Sequence, residues 1–529
     1  MARIARSGGA PDHARRVVLN SFPASLPGDS GLPRARLSRT AVGSVRLTAA
    51  LAALSLGFLV AMSFALVVLA AQRSSVLTPT TQPRFFPSWM TGPLGGLWPS
   101  FPESYLTPEH FISFGLLAMF ACYIVAWRWA PQLRARWTIA ALVLVQLIFF
   151  LSPPLPDTDV FNYINYARMG VIYHLNPYAT IPALEPFTDA SFALSNWHHL
   201  LSPYGPLFTL IMYALVPFGV PASFWLVKLI VAGSSLGLLA FLWRCAVRLG
   251  RSPVRAVVFA GLNPVVLVWG LGGDHYDFLL MFVIMLGVYL ALDARAPAGS
   301  AVAAGSGAPA ESAGSPGATP EVAARDLGVG AAFMSAVAIK ASAGLLLPIV
   351  LGGVGAGRRR RVAVGMMASA LALALASYLA FGARLPDLSE QSSLVTGVGP
   401  ANILGMLLGL GGDTAGMRAV LFAVILVTVA LCTYWTWTGR RSWCAVAGVA
   451  SLVLVLALSW TAPWYIVWIL PFAALASSDR VRYAVLALSL YFILAFSPMA
   501  SDLMNLVHLH PGSTPLGQRE GALFNELVH

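Results

Sequence analysis

Long apolar runs separated by short polar breaks dominate this chain. Thirteen such runs stand at 47–71, 110–131, 137–155, 221–243, 254–272, 276–293, 327–340, 342–356, 362–382, 418–438, 443–460, 462–477 and 481–498. Each predicts a helix crossing a bilayer, although several fall short of the ~20 residues that a full span prefers. The segment 204–219 is apolar too. Counting it as a span would put Arg244, Arg248, Arg251 and Arg255 outside, against the positive-inside rule. It is therefore predicted as a re-entrant or surface helix with both ends on the outer side. The run 327–356 has to cross twice, turning near Lys340-Ala341-Ser342, so that Arg358-Arg359-Arg360-Arg361 stays inside.

Composition agrees with this pattern and narrows it. The chain has 529 residues, 58% hydrophobic and only 10% charged, with a mean hydropathy of +0.75. A soluble domain carries about 25% charged residues. The expected fold is an all-α polytopic integral membrane protein of about 13 transmembrane helices, with outer-side juxtamembrane helices. Residues 1–46 hold eight arginines among Gly and Pro, and read as a disordered cytoplasmic tail. A membrane module, 47–293, carries a large outer loop at 156–220. Residues 294–326, dominated by Ala, Gly, Ser and Pro, read as a flexible cytoplasmic linker. A second module spans 327–499, and 500–529 form an outer-side tail.

The net charge of +12 could suggest nucleic acid, but its distribution argues against that. Of 33 basic residues, 25 fall in the N-terminal tail and inner loops, whereas 14 of the 21 acids fall on the outer side. Basic residues inside fix orientation and meet anionic membrane lipid. The protein is thus expected as a multi-pass plasma-membrane protein with a cytoplasmic N-terminus and no nucleic-acid partner. The four cysteines have no metal spacing and read as packing residues.

Candidate chemistry gathers around 157–178. Prolines 153, 154 and 156 end one helix, since proline cannot continue the hydrogen-bond ladder. Asp157 can cap the next helix, with Asp159 in its first turn. From there Asn162, Tyr163, Tyr166 and Arg168 alternate with apolar residues, which predicts a helix lying on the membrane surface. Asn176 and Tyr178 follow. Acid, amide, phenol and guanidinium groups at a membrane surface suggest a polar substrate with a lipid tail. A pair of caps facing water is the bland alternative for the two acids. Asp274, His275 and Asp277 form a second outer cluster, either a solvated turn or substrate ligands. Lys340, one of two lysines in the chain, sits in an apolar run. There it either meets an anion such as a lipid phosphate or snorkels to the surface. Tyr204, Trp464 and Tyr465 lie at further outer turns, where aromatic belts are common. No histidine pair at helical spacing supports zinc. No metal ligand is assigned and no cofactor is certain, so a divalent metal is possible but not implied.

The order of these motifs resembles the GT-C superfamily of polytopic glycosyltransferases. The carrying residues are Asp159-Val160 with Tyr163, Asn176-Pro177-Tyr178, Tyr204-Gly205-Pro206-Leu207, Asn263-Pro264 ahead of Asp274-His275-Tyr276-Asp277, Lys340, and Pro463-Trp464-Tyr465. The chain is most similar to bacterial polyprenol-phosphomannose-dependent mannosyltransferases. The resemblance implies a polyprenyl-phosphate sugar donor, a glycan or glycolipid acceptor, and inverting transfer at the outer face. It makes Asp159 the catalytic base, with Asp157 as its partner carboxylate. Arg168, Asn162, Tyr163, Asn176, Tyr178, Tyr204, Asp274, His275, Asp277, Lys340, Trp464 and Tyr465 become substrate ligands. Relatives often carry His-Asn-Asp where this chain has His275-Tyr276-Asp277, which bears on the sugar or acceptor. A transporter or flippase of lipid-linked saccharides is the competing expectation. The absence of an evident inverted repeat speaks against it.

Overall fold

The structure, a computed structural model, describes residues 39–71, 87–94, 108–292 and 319–528. Most of the expected N-terminal tail and most of the 294–326 linker lie outside these residues. Their last parts are helical: α1 is Arg39–Ala70 and the helix after the linker begins at Pro320. Pro320 and Glu321 suit a first turn, where proline loses no hydrogen bond and acid meets the helix dipole.

Among the described residues the fold is entirely helical. After α1 come α2 (Pro108–Arg128), α3 (Ala135–Phe150), α4 (Asp159–Ile172), α5 (Pro206–Tyr213), α6 (Gly219–Arg248), α7 (Pro253–Gly261) and α8 (Asp277–Ala291). The second half holds α9 (Pro320–Ile339), α10 (Leu346–Gly353), α11 (Ala356–Phe381), α12 (Ser389–Ser393), α13 (Pro400–Leu407) and α14 (Ala415–Trp437). It ends with α15 (Trp443–Ala457), α16 (Leu470–Leu475), α17 (Asp479–Phe496), α18 (Ala500–Leu506) and α19 (Pro515–Val528).

Six helices among the described residues are long and apolar enough to cross a membrane, or seven if the bent pair α17 and α18 counts as one. Thirteen full spans are therefore not confirmed. The difference lies in helices such as α3, α8 and α15, of 16, 15 and 15 residues. At 1.5 Å per residue these reach only ~23 Å of the ~30 Å hydrocarbon core. It lies also in runs that break partway. Asn263-Pro264 interrupts 254–272, which continues as a π-type turn at Val266–Leu271. Pro463 opens a 3₁₀ turn at Pro463–Trp468. Lys340 is extended (φ −152°, ψ 119°) between α9 and the 3₁₀ turn Ala341–Leu345. Broken backbone at membrane depth is tolerated where it lines a cavity, and two of these breaks, at Lys340 and at Pro463–Trp468, line one.

The 204–219 segment, expected as a re-entrant or surface helix, is divided from the long helix that follows it. α5 has only eight residues, and a 3₁₀ turn joins it to α6 through Gly219 at φ 77°. At the start of α9, Asp326 accepts bonds from Arg358 and Arg361 at the start of α11 (2.7 and 2.8 Å). The chain between α9 and α11 therefore doubles back at Lys340. Arg248, Arg325 and Arg358 all donate to carbonyls at 289–292, the end of α8. Twenty residues earlier on α6, about 30 Å by helical rise, Lys228 meets Asp274. Arg248 and the Lys228–Asp274 pair thus lie about 30 Å apart along α6.

The helix at the centre of the sequence pattern is not a surface helix. Val160 to Ala167 are all buried in α4. Its polar side chains dock a long loop instead of meeting water. Asn162 accepts from the Asn196 and Trp197 N–H groups (3.0 and 3.3 Å), and Tyr166 donates to the Leu200 carbonyl (2.6 Å). An amphipathic pattern records which side chains have polar partners, whether those partners are water or a folded loop.

Candidate functional site

A cavity of about 1530 Å³ opens where α4, α5, α9, α11 and the 3₁₀ turn at 463–468 converge. Drug-sized ligand sites hold about 300–1,000 Å³, so this one has room for two substrates. The local sequence explains how each wall arrives there. Gly205 lets α5 start against the end of α9: a Cβ there would stand 2.3 Å from the Ala338 carbonyl. That contact, with the Gly205 N–H bonded to the Ile339 carbonyl at 3.2 Å, sets Tyr204 beside Lys340 on the cavity wall. On the other side, Gly273 allows the turn that carries 274–277. A Cβ there would meet the Trp269 carbonyl at 2.5 Å and the His275 ring at 2.6 Å. Asp274 itself holds a left-handed φ of 56°, which costs a non-glycine residue of order 1 kcal/mol or more.

Asp157 and Asp159 sit on the cavity wall, about a fifth of each side chain exposed. The Asp159 N–H donates to Asp157 Oδ1 at 3.1 Å, but the cap position of α4 is Thr158, so Asp157 stands one residue before the cap expected of it. Asn162 Nδ2 donates to Asp159 Oδ1 at 3.3 Å. Burial pushes the Asp159 carboxyl up to about 6, with the Asn162 bond working the other way. Burial, and then the neighbouring charge of Asp159, hold Asp157 well above the ordinary carboxylate range. Two buried acids this close titrate as a pair, above the ordinary carboxylate range.

His275 faces both acids, its Nδ1 3.7 Å from Asp159 and its Nε2 3.9 Å from Asp157. The ring stacks on Trp464 at 3.6 Å between centroids, and Tyr163 Oη lies 3.3 Å from Nδ1. Burial, then the charge of Lys340, depresses the His275 pKa well below its ordinary value, so the ring is neutral. Asp157, Asp159 and His275 each offer a ligand atom, all within 4.8 Å of one another. Among the described residues this is the group suited to a divalent cation, and His275 Nε2 has no hydrogen-bond partner.

Lys340 lies on the same wall. Its Nζ donates to Asp277 Oδ1 at 2.9 Å, and Trp468 Nε1 donates to the same oxygen at 2.7 Å. The ammonium also stands 4.6–4.9 Å from the ring centres of Tyr276, Tyr465 and Trp468. An aromatic box around a cation stabilises it electrostatically. An ammonium has three donors, so the bond to Asp277 leaves two for a ligand.

Of the residues singled out from sequence, Asp157, Asp159, Tyr204, Asp277, Lys340, Trp464 and Tyr465 line the cavity, and His275 stands behind Trp464. Others are turned to protein partners and do not line it. Arg168 forms a two-pronged ion pair with Asp189 (2.8–3.0 Å), joined by Tyr173. Burial would raise the Asp189 carboxyl, but its bonds to Arg168, Ser191 and Tyr173 outweigh that and hold it at about 2. Arg168 therefore stands as a loop anchor and not as a free cation. Asn176 donates to the Phe381 carbonyl, and Tyr178 Oη bonds the Tyr204 carbonyl at 2.8 Å. Tyr163 fills a nest of Tyr204, Phe208 and Tyr276 rings. Asp274 pairs with the wholly buried Lys228 at 2.9 Å. Lys228 is not among the residues singled out from sequence, nor are Trp197, Trp460, Arg418 and Phe524, which line the cavity. Lys228 carried a usable signal: a lysine ten residues inside an apolar helix needs an anion.

Residues 55–356 match a family model described as alpha-(1->6)-mannopyranosyltransferase, N-terminal domain, and residues 395–511 match an MptB C-terminal domain. Alpha-(1->6)-mannopyranosyltransferase A of Mycobacterium tuberculosis is 26% identical over 390 residues, covering 67% of this chain and 69% of that protein. A second alpha-(1->6)-mannopyranosyltransferase of that organism is 29% identical over 411 residues, covering 67% and 68%. A probable one of Mycolicibacterium smegmatis is 25% identical over 416 residues, covering 69% and 68%. No solved structure matches the chain.

Proposed function

The chain belongs to the alpha-(1->6)-mannopyranosyltransferase family of GT-C-like membrane glycosyltransferases, and from that premise we propose that it moves mannose from a polyprenyl-phosphate carrier to a glycan or glycolipid hydroxyl at the outer face of the plasma membrane. The observation that carries this reading is the paired carboxylate that lines the cavity together with a boxed lysine. Asp159 takes the proton of the acceptor hydroxyl as that oxygen bonds the anomeric carbon. The bond from that carbon to the phosphate oxygen breaks in the same step, and the lipid phosphate leaves with the electron pair. A single displacement inverts the anomeric centre. Lys340 meets the growing phosphate charge. His275, neutral and stacked on Trp464, holds the wall behind the acids. A sugar already bonded to a membrane lipid accounts for the absence of any nucleotide-binding helix–strand unit among the described residues. The test is transfer from radiolabelled polyprenyl-phosphate mannose by purified protein in detergent, with the anomeric form of product and donor compared by NMR. No mannose transfer above a boiled control, with donor and several mannoside acceptors present, would sink the reading.

Lys340→Ala should lower kcat/KM for the donor about 10- to 100-fold, the worth of a hydrogen bond to a charged group. Lys340→Arg should keep part of it. Wild-type donor kinetics in a stable Lys340→Ala protein would leave the lysine as no more than a partner for Asp277.

Orientation follows from the same reading: cytoplasmic N-terminus and linker, outer C-terminal end. The Met499 N–H bonds Ser113 Oγ near the start of α2 (3.2 Å), so α18 lies at the end of the molecule where α2 begins. A cysteine placed at Ser501 should react with a membrane-impermeant maleimide in intact cells, and one at Ser312 should not. Labelling at 312 would reverse the orientation.

A further inference from the structure

The cavity has two chemically different sides. Towards α9 and α11 it is aliphatic, with Met334, Val337, Leu373 and Ala374. Another side is aromatic and polar, and α19 adds Phe524 and Val528 to the lining. Phe524 of that helix packs edge-on against Trp197 (5.5 Å between centroids) and stacks with Trp460 (6.1 Å, 21° between planes). All three rings line the cavity. α19 is fixed there at two points. The His199 N–H donates to the Leu527 carbonyl at 3.0 Å, and Arg418 donates to Glu520 at 3.0 Å. Arg418 also lines the cavity and donates to the Ser393 carbonyl. Both family matches end before this helix, at 356 and 511.

We propose that Trp197, Trp460 and Phe524, with Arg418 at their edge, form the subsite for the acceptor glycan, and that α19 sets which acceptors fit. The inference rests on the mannosyl transfer proposed above. A pyranose has C–H-rich faces and a rim of hydroxyls. Its C–H groups pack on the electron-rich faces of aromatic rings, while its hydroxyls need donors and acceptors at the rim. The shelf supplies both. The link to the chemistry is short: the Trp197 side chain hydrogen-bonds Asp159, its backbone N–H bonds Asn162 Oδ1, and Asn162 Nδ2 bonds Asp159. A sugar on the shelf thus lies next to the carboxylate that must take its proton. The aliphatic side is left to the polyprenyl chain of the donor, which offers no hydroxyls for the polar rim to bind.

The test uses full-length purified protein, polyprenyl-phosphate mannose, and synthetic alkyl α-(1→6)-mannosides of two and four sugars as acceptors. Phe524→Leu keeps an apolar side chain but loses the ring. Its KM for the four-sugar acceptor should rise roughly three- to tenfold, the usual worth of an aromatic contact. The donor KM should stay within twofold, and Phe524→Trp should restore the acceptor KM. Trp460→Leu, on the facing wall, should behave as Phe524→Leu does and serves where α19 does not tolerate the change. An unchanged acceptor KM in both leucine variants overturns the subsite. So does a rise in donor KM alone, or a loss that Phe524→Trp does not repair. Wild-type turnover in the same assay reports on mannosyl transfer itself, so failure of the subsite and failure of the activity read out separately.

Discussion

Asp159→Asn should lower mannosyl transfer by 10²–10⁴-fold, roughly 3–5 kcal/mol of barrier, while the protein still inserts and folds. Asparagine keeps the size of the carboxylate and is a good residue at a helix start, so α4 loses little. What it loses is the ability to accept a proton. Of the two acids, Asp159 stands at the head of α4 with a bond from Asn162, and burial raises its carboxyl to about 6. The base works ionised, so wild-type turnover should fall as pH drops through about 6. The sign for stability runs the other way. Between about 4, where an unfolded aspartate titrates, and 6, the folded protein holds more protons at Asp159, so falling pH stabilises it through this group. Loss of activity in that window is therefore not unfolding caused by Asp159. Asp157→Asn should cost less activity and leave the acid limb near 6, because burial and not Asp157 is the main force that raises the Asp159 carboxyl. Turnover of both variants at matched protein level decides the assignment. A nearly normal Asp159→Asn with a dead Asp157→Asn moves the base to Asp157. Normal turnover in both removes this stretch from the chemistry.

The sequence made the helical membrane fold legible because apolar length is a direct record of the bilayer. It made the acid cluster legible because two carboxylates follow the end of an apolar run and open a stretch rich in Asn, Tyr and Arg. What it hid was which polar group answers which. Asn162, Arg168, Asn176 and Tyr178 look like ligands in a list, yet each is spent on folded chain: the 196–197 loop, Asp189, the Phe381 carbonyl and the Tyr204 carbonyl. Those partners lie up to 205 residues away, beyond any local pattern. The count of spans failed for a related reason. Runs broken at Asn263-Pro264, Lys340 and Pro463 read as whole helices by hydropathy, and the last two of those breaks give the cavity part of its lining. Family resemblance reached Asp159 and Lys340, which line the cavity. It could not reach Phe524, beyond both family matches.

The two lysines of the chain carry one more lesson, and the largest expected effect on stability. Each pairs with one acid of the 274–277 turn: Lys340 with Asp277 at the cavity, Lys228 with Asp274 away from it. Lys228 is wholly buried on α6, bonded to both Asp274 oxygens at 2.9 and 3.1 Å. Its ammonium also stands 5.4 Å from the Phe224 ring centre. Lys228→Met should destabilise the protein by about 3–5 kcal/mol, because it strands a buried carboxylate with no counter-ion. The turn that carries His275 and Asp277 would shift with it, so activity should fall too, although Lys228 touches no part of the cavity. Adding Asp274→Asn should recover most of both losses. It removes the stranded charge, and asparagine tolerates the left-handed φ of 56° that this position requires. Replacing a whole buried pair is often close to neutral, whereas removing one partner is not. Unfolding by SDS titration, followed by tryptophan fluorescence, measures the stabilities, and transfer from polyprenyl-phosphate mannose measures the site. If Lys228→Met is as stable as the double variant, the pair is not a structural anchor. If the double variant is stable but inactive, Asp274 acts on substrate after all.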